Sequence, residues 1–230
     1  MLEQLKDEVC KANLELVRLG LAPLTWGNVS GISRGDGLIV IKPSGVEYGS
    51  MTAKDMVVVD MEGNVVDGKL RPSSDTPTHL ELYKAFPAIG GIVHTHSIYA
   101  TMFAQACREI PCFGTTHADS FNGAIPVTRL LTEDEVKADY EGGVGDIIIK
   151  CFAGLDPTST PGVLVAGHGP FAFGGDAKDS VRNALVLELV AQIALGSLQL
   201  NPSLTELPTY ISSKHHQRKH GPNAYYGQKK

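Results

Sequence analysis

Short apolar runs joined in pairs by tight polar turns set the strongest limit on how this chain can fold. Residues 29–33 and 38–42 flank Arg34-Gly35-Asp36-Gly37, and residues 56–61 and 64–66 flank Glu62-Gly63. Runs so closely spaced pair antiparallel, because a parallel connection needs a crossover of a dozen residues or more. Further strand signals lie at residues 91–95, 110–115, 125–127, 163–166 and 171–173. Helical patterns interrupt them irregularly rather than once per strand. The expected class is therefore α/β with three layers: a central, mainly antiparallel or mixed sheet flanked by helices.

Leu2, Leu5, Val9, Ala12, Leu16 and Leu19 recur at steps of three and four, one apolar helical stripe closed by Gly20. Thr76 as cap with Pro77 at the first helical position predicts a helix to about Phe86. Residues 99–106 read as another helix. Thr132-Glu133-Asp134-Glu135 has capping-box spacing, and Gly145-Asp146 predicts a helix start running through Phe152. Asp176 caps a long helix to about Leu200, whose apolar residues spread around most of its circumference, as expected for burial between layers or subunits. Its most apolar part, residues 184–200, carries Glu188 and Gln192 and is short for a bilayer, so no membrane span is expected.

The 230 residues suit a single domain over 1–230, and 43% apolar residues supply a core that excludes wholesale disorder. A net charge of −5 argues against binding polyanions over the whole surface, and no nucleic-acid motif is visible. Cys10, Cys107, Cys112 and Cys151 form no Cys-x-x-Cys pair, as in a reduced, cytoplasmic protein. The charged, helical N-terminus is not a signal peptide. Neither the dinucleotide glycine fingerprint nor the phosphate-loop lysine motif is present.

The chemistry concentrates at Ile92-Val93-His94-Thr95-His96-Ser97. Alternate residues of a strand share a face, so His94 and His96 project together from the end of an apolar strand. Neutral imidazoles so placed suit zinc or a similar divalent ion. His168, between Gly167 and Gly169, is a third candidate ligand, and Asp75, just before a helix, could add an oxygen. Three nitrogens and one oxygen with room for substrate describe a catalytic rather than a structural shell. For a lone histidine a hydrogen-bonded turn is the simpler reading, and His79 and His117 are assigned structural or orienting roles.

A second group reads as an anion pocket. Gly27-Asn28, Lys42-Pro43-Ser44-Gly45 and Ser73-Ser74 offer backbone N–H groups, small hydroxyls, an amide and a cation, which together suit a phosphate monoester. The tail, with Lys214-His215-His216-Gln217-Arg218-Lys219-His220 and then Tyr225-Tyr226, is either a solvated basic segment or one whose aromatics dock on something.

Taken together, Thr25-Trp26-Gly27-Asn28-Val29-Ser30, Ile41-Lys42-Pro43-Ser44-Gly45, Ser73-Ser74-Asp75-Thr76-Pro77-Thr78-His79, His94-Thr95-His96 and Gly114-Thr115-Thr116-His117-Ala118-Asp119 resemble the L-ribulose-5-phosphate 4-epimerases of the class II aldolase / adducin-head superfamily. The resemblance runs essentially from Met1 to Gln228. It implies a zinc site of Asp75, His94, His96 and His168. It implies substrate contacts from Gly27, Asn28, Lys42, Ser44, Gly45, Ser73, Ser74, Thr116 and His215, and an acid–base pair of Asp119 and Tyr226. It implies a homotetramer of four-fold cyclic symmetry, with residues 201–230 a C-terminal extension whose tyrosine and His215 reach a neighbouring subunit's site. The related aldolases carry a catalytic Glu where this chain has Asp75, which favours epimerisation of a ketopentose 5-phosphate. A class II aldolase acting on a ketose phosphate such as L-fuculose 1-phosphate is the alternative, and a non-catalytic adducin-like module is a third reading.

Overall fold

The computed structural model describes residues 2–227; Met1 and the end of the tail motif at Gln228 lie outside them. Seven strands form one antiparallel sheet: β1 (Asn28–Ser33), β2 (Leu38–Ile41), β3 (Val57–Asp60), β4 (Val65–Asp67), β5 (Gly91–His94), β6 (Gly162–Val165) and β7 (Gly169–Gly174), in the order β4-β3-β2-β1-β5-β7-β6. The two turn-linked pairs expected from sequence are the β1–β2 and β3–β4 hairpins. Among the described residues eight α-helices surround the sheet: α1 (Glu3–Arg18), α2 (Thr76–Ala85), α3 (Ile98–Gln105), α4 (Thr115–Ala118), α5 (Glu133–Ala138), α6 (Tyr140–Cys151), α7 (Ala177–Leu200) and α8 (Thr209–His220).

Alternation along the strands gives the sheet two packed faces, and a third cluster gathers Phe103, Phe121, Leu164 and Leu187 around α3 and α7. Val29, Val40, Val58, Val93 and Ala172 face α1 and α7, where Val9, Leu16 and Val181 pack. Ile39, Val57, Val59, Ile92, Phe171 and Phe173 face the other way, against Leu82, Tyr83, Ile147 and Ile148 of α2 and α6. Both faces of the sheet are thus covered, which makes the predicted three layers. His94 follows Ile92 and Val93 in β5 and so falls on the α2 and α6 side, with Phe171.

Several boundaries differ from the sequence reading. Residues 110–115 and 125–127 are not strands: Ile110 and Ile125 make one isolated bridge, Val127 bridges Leu164, and residues 115–118 turn into α4. Single bridges anchor these loops to the core without a ladder long enough to count as a strand. Helix α6 starts at Tyr140, well before Gly145, because the Asp139 side chain caps it by accepting from Gly142 N. Gly145 lies inside the helix, where a Cβ would stand 2.9 Å from Glu81 Cβ; its small size lets α6 approach α2. The N-cap position of α2 is Asp75, one residue before the expected Thr76. Helix α7 alone, among the described residues, is long and apolar enough to cross a membrane. It is partly buried: one side lies along β5 and β7 and packs on α1 and α3, and its Glu188 accepts from the N–H groups of Tyr99 and Ala100 at 2.9 Å each, capping α3.

Candidate functional site

The site forms where three strand ends meet. Antiparallel register sets His94 of β5 opposite Asn28 of β1 on one side and Phe171 of β7 on the other. The His94 ring stacks on Phe171 with centroids 4.3 Å apart, and its Nδ1 donates to the Pro170 carbonyl at 3.0 Å. That bond fixes the tautomer and leaves the Nε2 lone pair free, the arrangement expected of a metal-ligating histidine. His96 follows the strand, and its Nε2 lies 3.2 Å from that of His94. His168 sits in the turn between β6 and β7, its ring centroid 4.7 Å from His94 and 5.0 Å from His96. Gly169, which has no side chain, lets the start of β7 lie against the end of β5; a Cβ there would be 2.7 Å from the Thr95 carbonyl.

These three histidines fit a divalent metal. One nitrogen from each lies within 4.8 Å of the others. In a tetrahedral shell with metal–nitrogen bonds of ~2.0–2.1 Å, ligand nitrogens sit about 3.3–3.4 Å apart, close to the His94–His96 spacing. Burial lowers the pKa of His96 and His168 and pushes that of His94 down to about 4, so all three are neutral with lone pairs available at pH 7. Asp75 lies beside them. Burial works to raise its pKa, but the neighbouring His94 and His79 and a 2.6 Å hydrogen bond from Asn28 Nδ2 hold it below the usual carboxylate value.

A cavity of about 450 Å³ opens over this group, lined also by Gly27, Asn28, Lys42, Ser44, Gly45, Ser73 and Ser74. The structure thus brings the predicted anion-binding residues and the predicted ligands to one place. Asn28 links them, because its Nδ2 also reaches Ser73 Oγ at 3.1 Å while its buried Oδ1 has no protein partner. Gly27 has φ +107°, and a Cβ there would meet the His94 carbonyl at 2.7 Å, so only glycine brings this loop against β5.

The remaining predicted residues assemble elsewhere. The tail is ordered as α8, which packs on α4. Asp119, at the end of α4, takes hydrogen bonds from His215 Nδ1 at 3.1 Å and from Arg218 at 3.0 and 2.7 Å, with Lys219 Nζ 3.6 Å away. The Tyr226 ring lies under Arg218 and Lys219, at 4.8 and 4.5 Å from its centroid, and is 60% exposed. Thr116 is exposed on α4. Asp119, Thr116, His215 and Tyr226 do not line the cavity that holds the histidines.

A profile of the Class II Aldolase and Adducin N-terminal domain family matches residues 7–195. The chain belongs to this family. Among solved structures, an L-fuculose 1-phosphate aldolase superposes with TM-score 0.80 at 25% identity, covering 94% of this chain and 95% of its own. YgbL of Klebsiella pneumoniae, a candidate aldolase/epimerase/decarboxylase, gives 0.74 at 26%, covering 94% and 100%. An L-fuculose-1-phosphate aldolase of Thermus thermophilus shares the fold with TM-score 0.68 at 21% identity, covering 88% and 100%.

In this class II aldolase domain the cavity wall also holds Thr25 and Pro43, which neighbour predicted site residues, and Tyr140 and Glu141, which the sequence reading missed. The Tyr140 hydroxyl lies 3.4 Å from His168 Nδ1, a position from which it can orient that ring. Both residues lie in the first turn of α6. The Asp139 cap was the signal that could have located them, and the Gly145-Asp146 start placed the helix too late.

Proposed function

We propose that the protein is a metal-dependent epimerase interconverting L-ribulose 5-phosphate and D-xylulose 5-phosphate by breaking and re-forming the carbon 3–carbon 4 bond. The observation that carries this reading is the placement of Asp75, bonded to Asn28 in the wall of the cavity whose mutually close ligand atoms, among the described residues, are those of His94, His96 and His168. So held, a short carboxylate is suited to complete a ligand set with His94, His96 and His168 rather than to act as a free base. The related aldolases that the sequence resembles carry a longer Glu as base at that position.

The hydrogen on carbon 4 is not acidic, because the carbonyl is at carbon 2. Cleavage avoids the difficulty. One acid–base group takes the proton of the carbon 4 hydroxyl, the carbon 3–carbon 4 electron pair passes to carbon 3, and glycolaldehyde phosphate and a dihydroxyacetone enediolate result. The aldehyde turns, carbon 3 attacks its other face, and a second group returns a proton to the oxygen. A bound divalent ion, zinc in this proposal, supplies Lewis-acid stabilisation of the negative charge left on the sugar fragment. Lys42, Ser44, Ser73 and Ser74 would keep the phosphate in place while the aldehyde turns. Asp119 and Tyr226 are assigned as the acid–base pair.

In one chain that pair lies outside the cavity, so the assignment requires a second copy. The proposed assembly is a homotetramer in which Asp119, His215 and Tyr226, carried by α4 and the 201–230 extension, complete a neighbour's pocket. Exposure of Tyr226 supports it. So does an exposed apolar face of Ile98, Met102, Leu189 and Ile193 on α3 and α7, beginning just after His96. A cytoplasmic location fits the unpaired cysteines.

Likeness to the L-fuculose 1-phosphate aldolase favours a second reading, cleavage of a ketose phosphate with release of aldehyde. Incubation with L-ribulose 5-phosphate, with and without chelator, separates the two. Chelator-sensitive formation of D-xylulose 5-phosphate is expected; accumulation of free glycolaldehyde phosphate without epimer would replace the epimerase reading by the aldolase one.

A further inference from the structure

Lys42 is only 2% exposed, yet among the described residues no carboxylate pairs with it; Nζ meets the Pro43 carbonyl at 3.3 Å. Burial lowers its pKa, since an isolated ammonium loses hydration there. Its other partner is Tyr48, whose ring centre lies 4.8 Å from Nζ. Tyr48 is itself 5% exposed, and its hydroxyl donates to the Gly27 carbonyl at 2.8 Å. Burial holds the phenol neutral, pushing its pKa above the usual value, so it remains a donor. One side chain therefore touches two parts of the cavity wall that are distant in sequence, the Gly27 loop and the Lys42 cation.

The chemistry of that contact differs from a salt bridge. A carboxylate at the same place would neutralise Lys42 and repel an incoming phosphate. An aromatic face attracts the cation through its quadrupole and leaves its full charge available. The hydroxyl bond to Gly27 restrains the loop whose backbone adjoins both β5 and Asn28. Restraint present before binding lowers the ordering cost on binding.

We propose that Tyr48 is a positioning residue of the phosphate subsite, its ring holding the Lys42 ammonium and its hydroxyl holding the Gly27 backbone before a phosphomonoester arrives. The role rests on the cavity being a sugar-phosphate site, as proposed above.

The test is calorimetric titration of inorganic phosphate into the metal-loaded full chain for wild type, Tyr48→Phe, Tyr48→Leu and Lys42→Met, with metal content and melting temperature measured on each. Tyr48→Phe keeps the ring and loses the Gly27 bond, so its phosphate Kd should rise about fivefold. Tyr48→Leu loses both, and its Kd should rise about tenfold beyond that of the Phe variant. Lys42→Met should abolish binding, with metal content unchanged throughout. With the sugar phosphate, KM should rise from wild type to Tyr48→Phe to Tyr48→Leu, by a larger factor than kcat falls. The Phe variant alone decides the matter if the Leu variant does not fold. Phosphate affinity equal to wild type in the folded Tyr48 variants would overturn the role of Tyr48 and leave the sugar-phosphate reading standing. Failure of metal-loaded wild type to bind phosphate overturns that reading, and the role of Tyr48 with it.

Discussion

Arg218 grips both oxygens of the Asp119 carboxylate, Nε to Oδ1 at 3.0 Å and Nη2 to Oδ2 at 2.7 Å. Its carbonyl also accepts from the N–H groups of Tyr225 and Tyr226, at 3.0 and 3.1 Å. One residue of α8 thus ties together the two members of the proposed acid–base pair, Asp119 and Tyr226. Planar bidentate pairing is a geometry that lysine cannot reproduce.

Burial works to raise the pKa of Asp119, but hydrogen bonds from Arg218 and His215 and the charge of Lys219 hold it below the ordinary carboxylate value. Arg218→Gln removes the largest of those lowering influences. The acid limb of the kcat/KM profile should move to higher pH, while metal content stays at the wild-type level. A profile unchanged in position would show that Asp119 is not the group titrating on that limb.

Tyr226→Phe should impair epimerisation by about 10²-fold or more, the usual scale for a lost acid–base group, and leave bound metal unchanged. His96→Asn should do the reverse at the metal, lowering its occupancy. Metal analysis beside turnover checks both; loss of metal in the tyrosine variant would sink its assignment.

If the pair serves a neighbouring subunit, those two inactive variants should complement each other. Mixed, dissociated and reassociated, they should regain activity at interfaces where an intact histidine group meets an intact tail. Persistent inactivity of mixed oligomers, with each variant folded, would place the whole site on one chain.

Gly27→Ala puts a Cβ against the His94 carbonyl at a φ of +107°. The substitution should cost about 2 kcal/mol or more in urea unfolding, as expected of a non-glycine residue forced into that backbone region. It should also weaken metal binding, since the displaced backbone is that of a ligand.

His79 and His117 are buried, and their pKa values are pushed down from 6.5 to about 3 and about 4. Each takes up a proton more readily in the unfolded chain than in the folded one. Their contribution to stability is therefore full above pH 6.5 and is lost as pH falls toward 4. The melting temperature of metal-free protein should fall across that window, and His117→Gln should flatten part of the slope.

The hairpins, the two-faced strands and the His-x-His pair were legible in the residues alone, because period-two alternation and tight turns are local properties. So was the start of α7 at Asp176, whose side chain accepts from Asp179 N as a capping residue should. The partners of the site residues were not legible. Asn28 reaches Asp75 because β1 pairs with β5 in a register that places it opposite His94, and such a register is settled only when both faces of the sheet are packed. The separation of Asp119 from the histidines was equally hidden. The sequence supplies both groups on one chain, but α8 packs on α4, and Asp119, His215 and Tyr226 there are not in the wall of the cavity that holds the histidines; a separation of that kind follows from helix packing and not from local pattern.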